Sequence, residues 1–173
     1  MPPSTPSPVA AAGDGAVDVF LAIQSKRSGK IRGEATAVDH KDEIQITAWD
    51  WGVSASSALG STHATARRSY RNLAISKRVD SSTTALLSVL ASNDEIKEAK
   101  LCMRKAGEGQ RDFFKITIFN ARVTSVELAC DSTGMLTERA TLSFNRVQVE
   151  YEIQQASGQR GSGFNFNDEI LPV

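Results

Sequence analysis

From Val9 to Leu171 the chain contains no proline. Proline lacks the N–H that a β-ladder needs and is confined in sheets to edges and bulges. A proline-free run of this length suits a backbone whose N–H groups are nearly all engaged in ladders. The side chains agree, because period-2 alternation recurs along the same stretch. Val17, Val19, Leu21 and Ile23 fall on one face of a first strand, Ile44, Ile46 and Ala48 on one face of a second, and Leu73 and Ile75 mark a third. Ala99, Leu101 and Met103 mark a fourth, which the turn-forming Ala106-Gly107-Glu108-Gly109 joins as a hairpin to a fifth at Phe114, Ile116 and Ile118; Val126 and Leu128 belong to a sixth.

The run from Thr137 to Ile153 changes phase: Leu142 and Phe144 are at even positions, Val147, Val149, Tyr151 and Ile153 at odd ones. A strand keeps its face only by keeping its alternation, so Asn145-Arg146 is expected to hold a β-bulge or to be where the chain crosses between sheets. One helix is expected over about residues 83–92, capped by Ser81 or Ser82, with Leu86, Leu87 and Leu90 on one stripe before Asn93 and Asp94 break the pattern. Ten residues make a marginal helix, so its leucines must pack on the sheets. The fold class that follows is mainly β: a β-barrel of two packed antiparallel-rich sheets with one flanking α-helix.

The 173 residues suit one domain, read as residues 16–155. Met1 to Gly15 carries four of the five prolines with Ser, Ala and Gly, a composition that buries too little to offset its ordering entropy, and is read as a disordered leader. It lacks the basic start and apolar stretch of a signal peptide. Residues 156–173 read as a Gly/Ser-rich tail. Twenty basic residues balance twenty acidic ones, which disfavours nucleic acid as a partner. The longest apolar runs fall far short of the roughly 20 residues that cross a bilayer, so no membrane insertion is expected.

The sequence gives no sign of an enzyme or of a cofactor or metal site. His40 and His63, the only histidines, lie in polar segments and read as solvated loop residues. Cys102 and Cys130 show no paired ligand spacing and read as buried thiols. Asp42-Glu43 and Asp168-Glu169 point to opposite faces when extended and read as surface charge. The glycines at 107–109 and 158–163 fit a turn and a tail, and neither opens a helix onto a phosphate.

The most informative local feature is Ala48-Trp49-Asp50-Trp51-Gly52. On a strand both indoles share a face, read as core, and Asp50 takes the other, while Gly52 lets the chain turn sharply afterwards. A small β-barrel that stacks a carbohydrate or other ligand on Trp49 and Trp51 is the alternative. The stretch from Val53 to Arg68, rich in Ser, Ala and Thr, has no stable periodicity; it reads as a long loop, either solvated or a docking arm that orders against a neighbouring subunit.

In order along the chain, five pieces resemble the hemolysin-coregulated protein (Hcp) family of bacterial type VI secretion: Val17–Ile23 with Ile31-Arg32-Gly33-Glu34-Ala35, the Trp49-Asp50-Trp51-Gly52 signature, Lys77-Arg78-Val79-Asp80-Ser81-Ser82-Thr83 as a Lys-x-x-Asp-x-x-(Ser/Thr) helix entry, Leu101–Gly107, and Leu142–Val147 with Tyr151. The resemblance covers residues 17–165. It implies a structural, non-enzymatic protein whose homo-hexameric rings stack into a tube, with a spike protein at the tip, a contractile sheath outside and small effector proteins shielded in the lumen. It also implies a cytoplasmic subunit that is later secreted without a cleavable signal peptide. On this implication Asp50 lines the lumen and contacts cargo, and Val53, Ser56, Ser57, Leu59, Thr62 and His63 belong to the ring-stacking loop.

Overall fold

A computed structural model describes residues 16–56, 67–105, 111–154 and 160–170. The leader read in residues 1–15 and the turn at 106–109 lie outside the described residues. The strands are β1 (Val17–Ser25), β2 (Gly29–Ile31), β3 (Ile44–Ile46), β4 (Ala48–Asp50), β5 (Val53–Ser56), β6 (Arg67–Tyr70) and β7 (Leu73–Arg78). After the helix α1 (Ser82–Ser92) come β8 (Ile96–Lys105), β9 (Asp112–Cys130), β10 (Leu136–Ser143), β11 (Arg146–Gln154) and β12 (Arg160–Glu169).

Every ladder is antiparallel. One face of the core is β2-β1-β8-β9-β11-β12 with β3 beside β1, and the other is β9-β10-β7-β4. The two faces share the 19-residue β9. Its first half pairs with β8 and β11, its second half with β10. Asn120, at φ 49°, marks the bend between them. On the opposite side the chain leaves β1 at the end of β3 and joins β7 as β4, with Thr47 N–H donating to the Ser76 carbonyl at 2.9 Å. Among the described residues no ladder joins β4 to β1, so the barrel is not closed by an unbroken ladder, and the chain itself passes between the faces at Thr47. The chain also crosses between the faces where the phase change predicts, since β10 pairs with β7 and β11 with β12 across the break at Asn145.

Between the faces lie Leu21, Ile23, Ile44, Leu73, Ile75, Leu101, Ile116, Ile118, Leu142 and Val147, all at most 1% exposed. Removing such side chains from water contributes about 1.5–3 kcal/mol each. The helix lays Leu86 and Val89 on this core, whereas Leu87, read with its stripe, is 38% exposed.

The helix start differs from the expected serine cap. Ser81 already has helical dihedrals (φ −61°, ψ −22°) and makes no side-chain cap, so the capping residue is Asp80. Its Oδ1 accepts from Ser82 N–H at 2.9 Å, while Asp80 N–H donates to Thr83 Oγ1 at 3.1 Å. Two orphan donors are thereby satisfied reciprocally, as in a capping box. At the other end Asn93 takes the left-handed conformation (φ 52°) and ends the helix as expected.

Behind the cap is a buried charge cluster. Lys77 and Glu138 are 1% exposed, and Lys77 Nζ lies 2.7 Å from Glu138 Oε2 and 2.8 Å from Asp80 Oδ1. Thr83 Oγ1 donates to Glu138 at 2.6 Å and Lys77 donates to Thr83 at 3.2 Å. The Lys-x-x-Asp-x-x-Thr pattern is thus a polar pin joining β7, α1 and β10.

Three other expectations are corrected. Residues 160–169, read as tail, form β12 on β11; main-chain ladders tolerate the glycines, and alternating Phe164 and Phe166 mark a strand. His40 is 5% exposed, held by Phe20 and Asp112 from distant segments as well as by Glu43 three residues on. Cys130 is exposed while Cys102 is buried, because β9 runs past the core at its C-terminal end. Leu128 is 51% exposed for the same reason.

Candidate functional site

The candidate site is the edge strand β4 and the ribbon that follows it. Among the described residues β4 pairs only with β7, at Ala48↔Ser76, Trp49↔Ile75 and Asp50↔Ala74. Alternation puts both indoles on one side of β4, packed against the core. Trp49 stacks on Phe114 with centroids 5.8 Å apart, and Trp51 stacks on Tyr70 at 6.0 Å and tilts against Phe144 at 6.3 Å. Offset aromatic pairs of this kind stabilise beyond their buried area. The indoles are half-buried and packed on the core, so they do not stand open as a ligand platform.

Asp50 faces the other way and is half-exposed, its carboxylate 3.2 Å from Arg139 Nη2 and 3.9 Å from Arg71 Nη1. At such exposure each pair contributes about 0–1 kcal/mol, so the arginines set the charge of the surface more than its stability. The backbone at Gly52 is not left-handed. What its missing Cβ gives is room: a Cβ there would meet the Arg71 guanidinium at 3.1 Å.

Val53 to Arg68, read as a loop, has a paired base. β5 and β6 form a two-stranded ribbon from Val53↔Tyr70 to Ser56↔Arg67, closed by Arg71 N–H donating to the Gly52 carbonyl at 3.0 Å. Its small exposed residues carry no hydrophobic alternation, and the ladder needs none because it is main-chain bonding. Ser57, Leu59, Thr62 and His63 lie outside the described residues.

The ribbon is tied to the far end of the chain. Tyr70 donates its hydroxyl to Asp168, and Arg68 Nε lies 2.9 Å from the same carboxylate. Burial and this carboxylate push the Tyr70 phenol up to about 12, and the phenol in turn holds Asp168 below the usual carboxylate range. Asp168, read as surface charge, therefore anchors β6 to β12. Glu43, from the other acidic pair, bonds His40 Nδ1 at 2.7 Å. Neither contact leaves a local trace, because the partners are 98 residues apart in one case and the segment around His40 shows no hydrophobic periodicity in the other.

Residues 20–151 match the family described as "Type VI secretion system effector, Hcp". Protein hcp1 of Pseudomonas aeruginosa is 35% identical over 152 residues, covering 86% of this chain and 91% of that protein. Among solved structures, the crystal structure of Hcp1 from Salmonella typhimurium superposes with a TM-score of 0.73 at 27% identity, covering 90% of this chain and 95% of the other. Hcp2 from the same organism superposes at 0.67 with 25% identity, covering 88% and 95%.

Proposed function

Because the chain belongs to the Hcp family of type VI secretion system effectors, we propose that it is a structural subunit of the secretion tube: six copies close a ring, rings stack, and small effector proteins ride in the lumen. A spike protein at the tip and a contractile sheath outside complete the partners. The mechanism is mechanical and asks no chemistry of the subunit, which waits in the cytoplasm and leaves the cell inside the fired assembly.

The family match carries this reading, and two apolar surfaces support it. On β11 and β12 the face that is core at Val147 continues outward as Tyr151, Ile153, Phe164 and Phe166, all at least 40% exposed. At the β9–β10 tip the core face continues as Leu128 and Leu136, 51% and 53% exposed, next to Met135. Among the described residues nothing covers either apolar face, and such patches mark interaction surfaces. Two different patches on one subunit suit a heterologous contact that repeats until the ring closes. A native mass measurement is expected to give six chains per particle. One chain per particle at high concentration overturns the ring.

The ribbon of β5 and β6 is the arm that reaches the next ring. Replacing Ser56 to Thr65 by a short Gly-Ser turn is expected to preserve the sixfold mass and abolish tubes under the electron microscope; tubes of unchanged length refute the arm's role. Asp50, on the outward face of β4, lines the lumen and touches cargo through a carboxylate already shared with Arg139. Asp50→Gln is expected to reduce co-purification of at least one effector, and retention of all of them removes the cargo role.

A further inference from the structure

The proposed tube makes no use of a buried histidine on the turn ahead of β3. His40 stacks on Phe20 with ring centroids 4.4 Å apart and planes 9° from parallel, which fixes the imidazole plane. Its Nδ1 lies 2.7 Å from Glu43 Oε2 and its Nε2 2.8 Å from Asp112 Oδ1. A neutral imidazole has one N–H and one lone pair. With the N–H given to Glu43, the Nε2 lone pair faces a carboxylate oxygen, and that meeting requires a cation. The thiol of Cys102, 4% exposed on β8, reaches the same place. One ligand atom each from His40, Cys102 and Asp112 lies within 4.8 Å of the other two.

We infer that His40 Nε2, Cys102 Sγ and the Asp112 carboxylate bind a divalent transition-metal ion, with Zn²⁺ the best match, while Glu43 orients the imidazole from behind. The donor set decides the metal: one imidazole nitrogen, one thiolate and one carboxylate suit tetrahedral zinc, whereas calcium and magnesium take oxygen ligands. Zinc-bound histidines commonly donate their second ring N–H to a carboxylate, which is the place Glu43 occupies. On binding, Sγ loses its proton to solvent, and thiolate and carboxylate together balance the two positive charges. Asp112, 21% exposed, lies on the outer side, where the ion enters and water supplies the fourth ligand. Burial, with the nearby Asp112 and Glu43 charges, pushes the Cys102 thiol up to about 12. The metal must therefore displace a firmly held proton, and its affinity rises with pH.

The alternative cation is a proton, which would make His40 an imidazolium bridging two carboxylates. Titrating the full chain, stripped with chelator, with Co²⁺ separates the two. One equivalent is expected to produce a thiolate-to-cobalt charge-transfer band that Zn²⁺ abolishes. Cys130→Ser, which removes the exposed thiol, keeps the band, and Cys102→Ala loses it. Glu43→Gln, which leaves the ligands in place, weakens cobalt binding about 10–100-fold. No band in the unsubstituted chain, or a band lost in Cys130→Ser, overturns the site in favour of the imidazolium bridge. Should Cys102→Ala fail to fold, the unsubstituted chain and Cys130→Ser still decide.

Discussion

Lys77→Met is expected to lower the unfolding free energy by about 3–5 kcal/mol, because it removes one member of a buried ion pair and strands the other. Glu138 would keep a charge at 1% exposure with only the Thr83 hydroxyl as donor. For a chain of this size, the fall in melting temperature is about 10 °C. The measurement is a thermal or denaturant melt at fixed protein concentration, since assembly would add its own concentration-dependent stability. A loss under about 1 kcal/mol would mean that the pair is not desolvated as described.

The same physics predicts the double variant. Taking two charges out of water costs several kcal/mol, which their mutual attraction repays only with good geometry. Lys77→Met with Glu138→Leu is therefore expected to recover most of the loss. Asp80 would keep its bonds to Ser82 N–H and Oγ, so the helix cap survives. The pair's net contribution is expected to be to specificity, because Lys77 meets Glu138, Asp80 and Thr83 together where β7, α1 and β10 converge.

Alternation made most of the barrel legible in the sequence, and where it misled, the reason is specific. Lys77 follows Leu73 and Ile75 at period 2, and Glu138 precedes Ala140 and Leu142 likewise, so both charges stand on the core face. Their polarity hid a position that the pattern gave away. Along β9, Phe114, Ile116 and Ile118 are even and so are Val126 and Leu128, which suggests two separate strands in one phase. In the structure Ala121 and Val123 face the core between them. The crossing at Asn120 shifts the phase, and a bulge that skips Thr124, where Thr141 opposes Ser125 and Leu142 opposes Val123, shifts it back. Two compensating shifts leave no net trace. The paired indoles were legible because Trp-x-Trp states its own geometry. The Tyr70–Asp168 anchor and the His40 cluster were not, because each joins residues whose sequence neighbours say nothing about the partner.

Gly33→Ala is expected to cost about 3 kcal/mol, at the upper end for forcing one extra carbon into a packed site. A Cβ on Gly33 would lie 2.4 Å from the Glu43 carbonyl oxygen and 2.6 Å from Ile44 Cα. Both are backbone atoms, so no side chain can swing aside. The two segments are also laced together, with Gly33 N–H donating to the Asp42 carbonyl at 2.8 Å and Ala35 N–H to that of Glu43 at 3.0 Å. Relief would have to move the turn that presents His40 and the start of β3, whose Ile44 is fully buried. Gly29→Ala is the control. There φ is +73°, but the nearest atom to a new Cβ is the Gln24 amide nitrogen at 3.8 Å. That substitution meets only the left-handed backbone penalty of about 1–2 kcal/mol. Denaturant melts of the two variants should therefore separate clearly, with Gly33→Ala the less stable. Equal losses would show that the approach of residue 33 to the Glu43 backbone is looser than described.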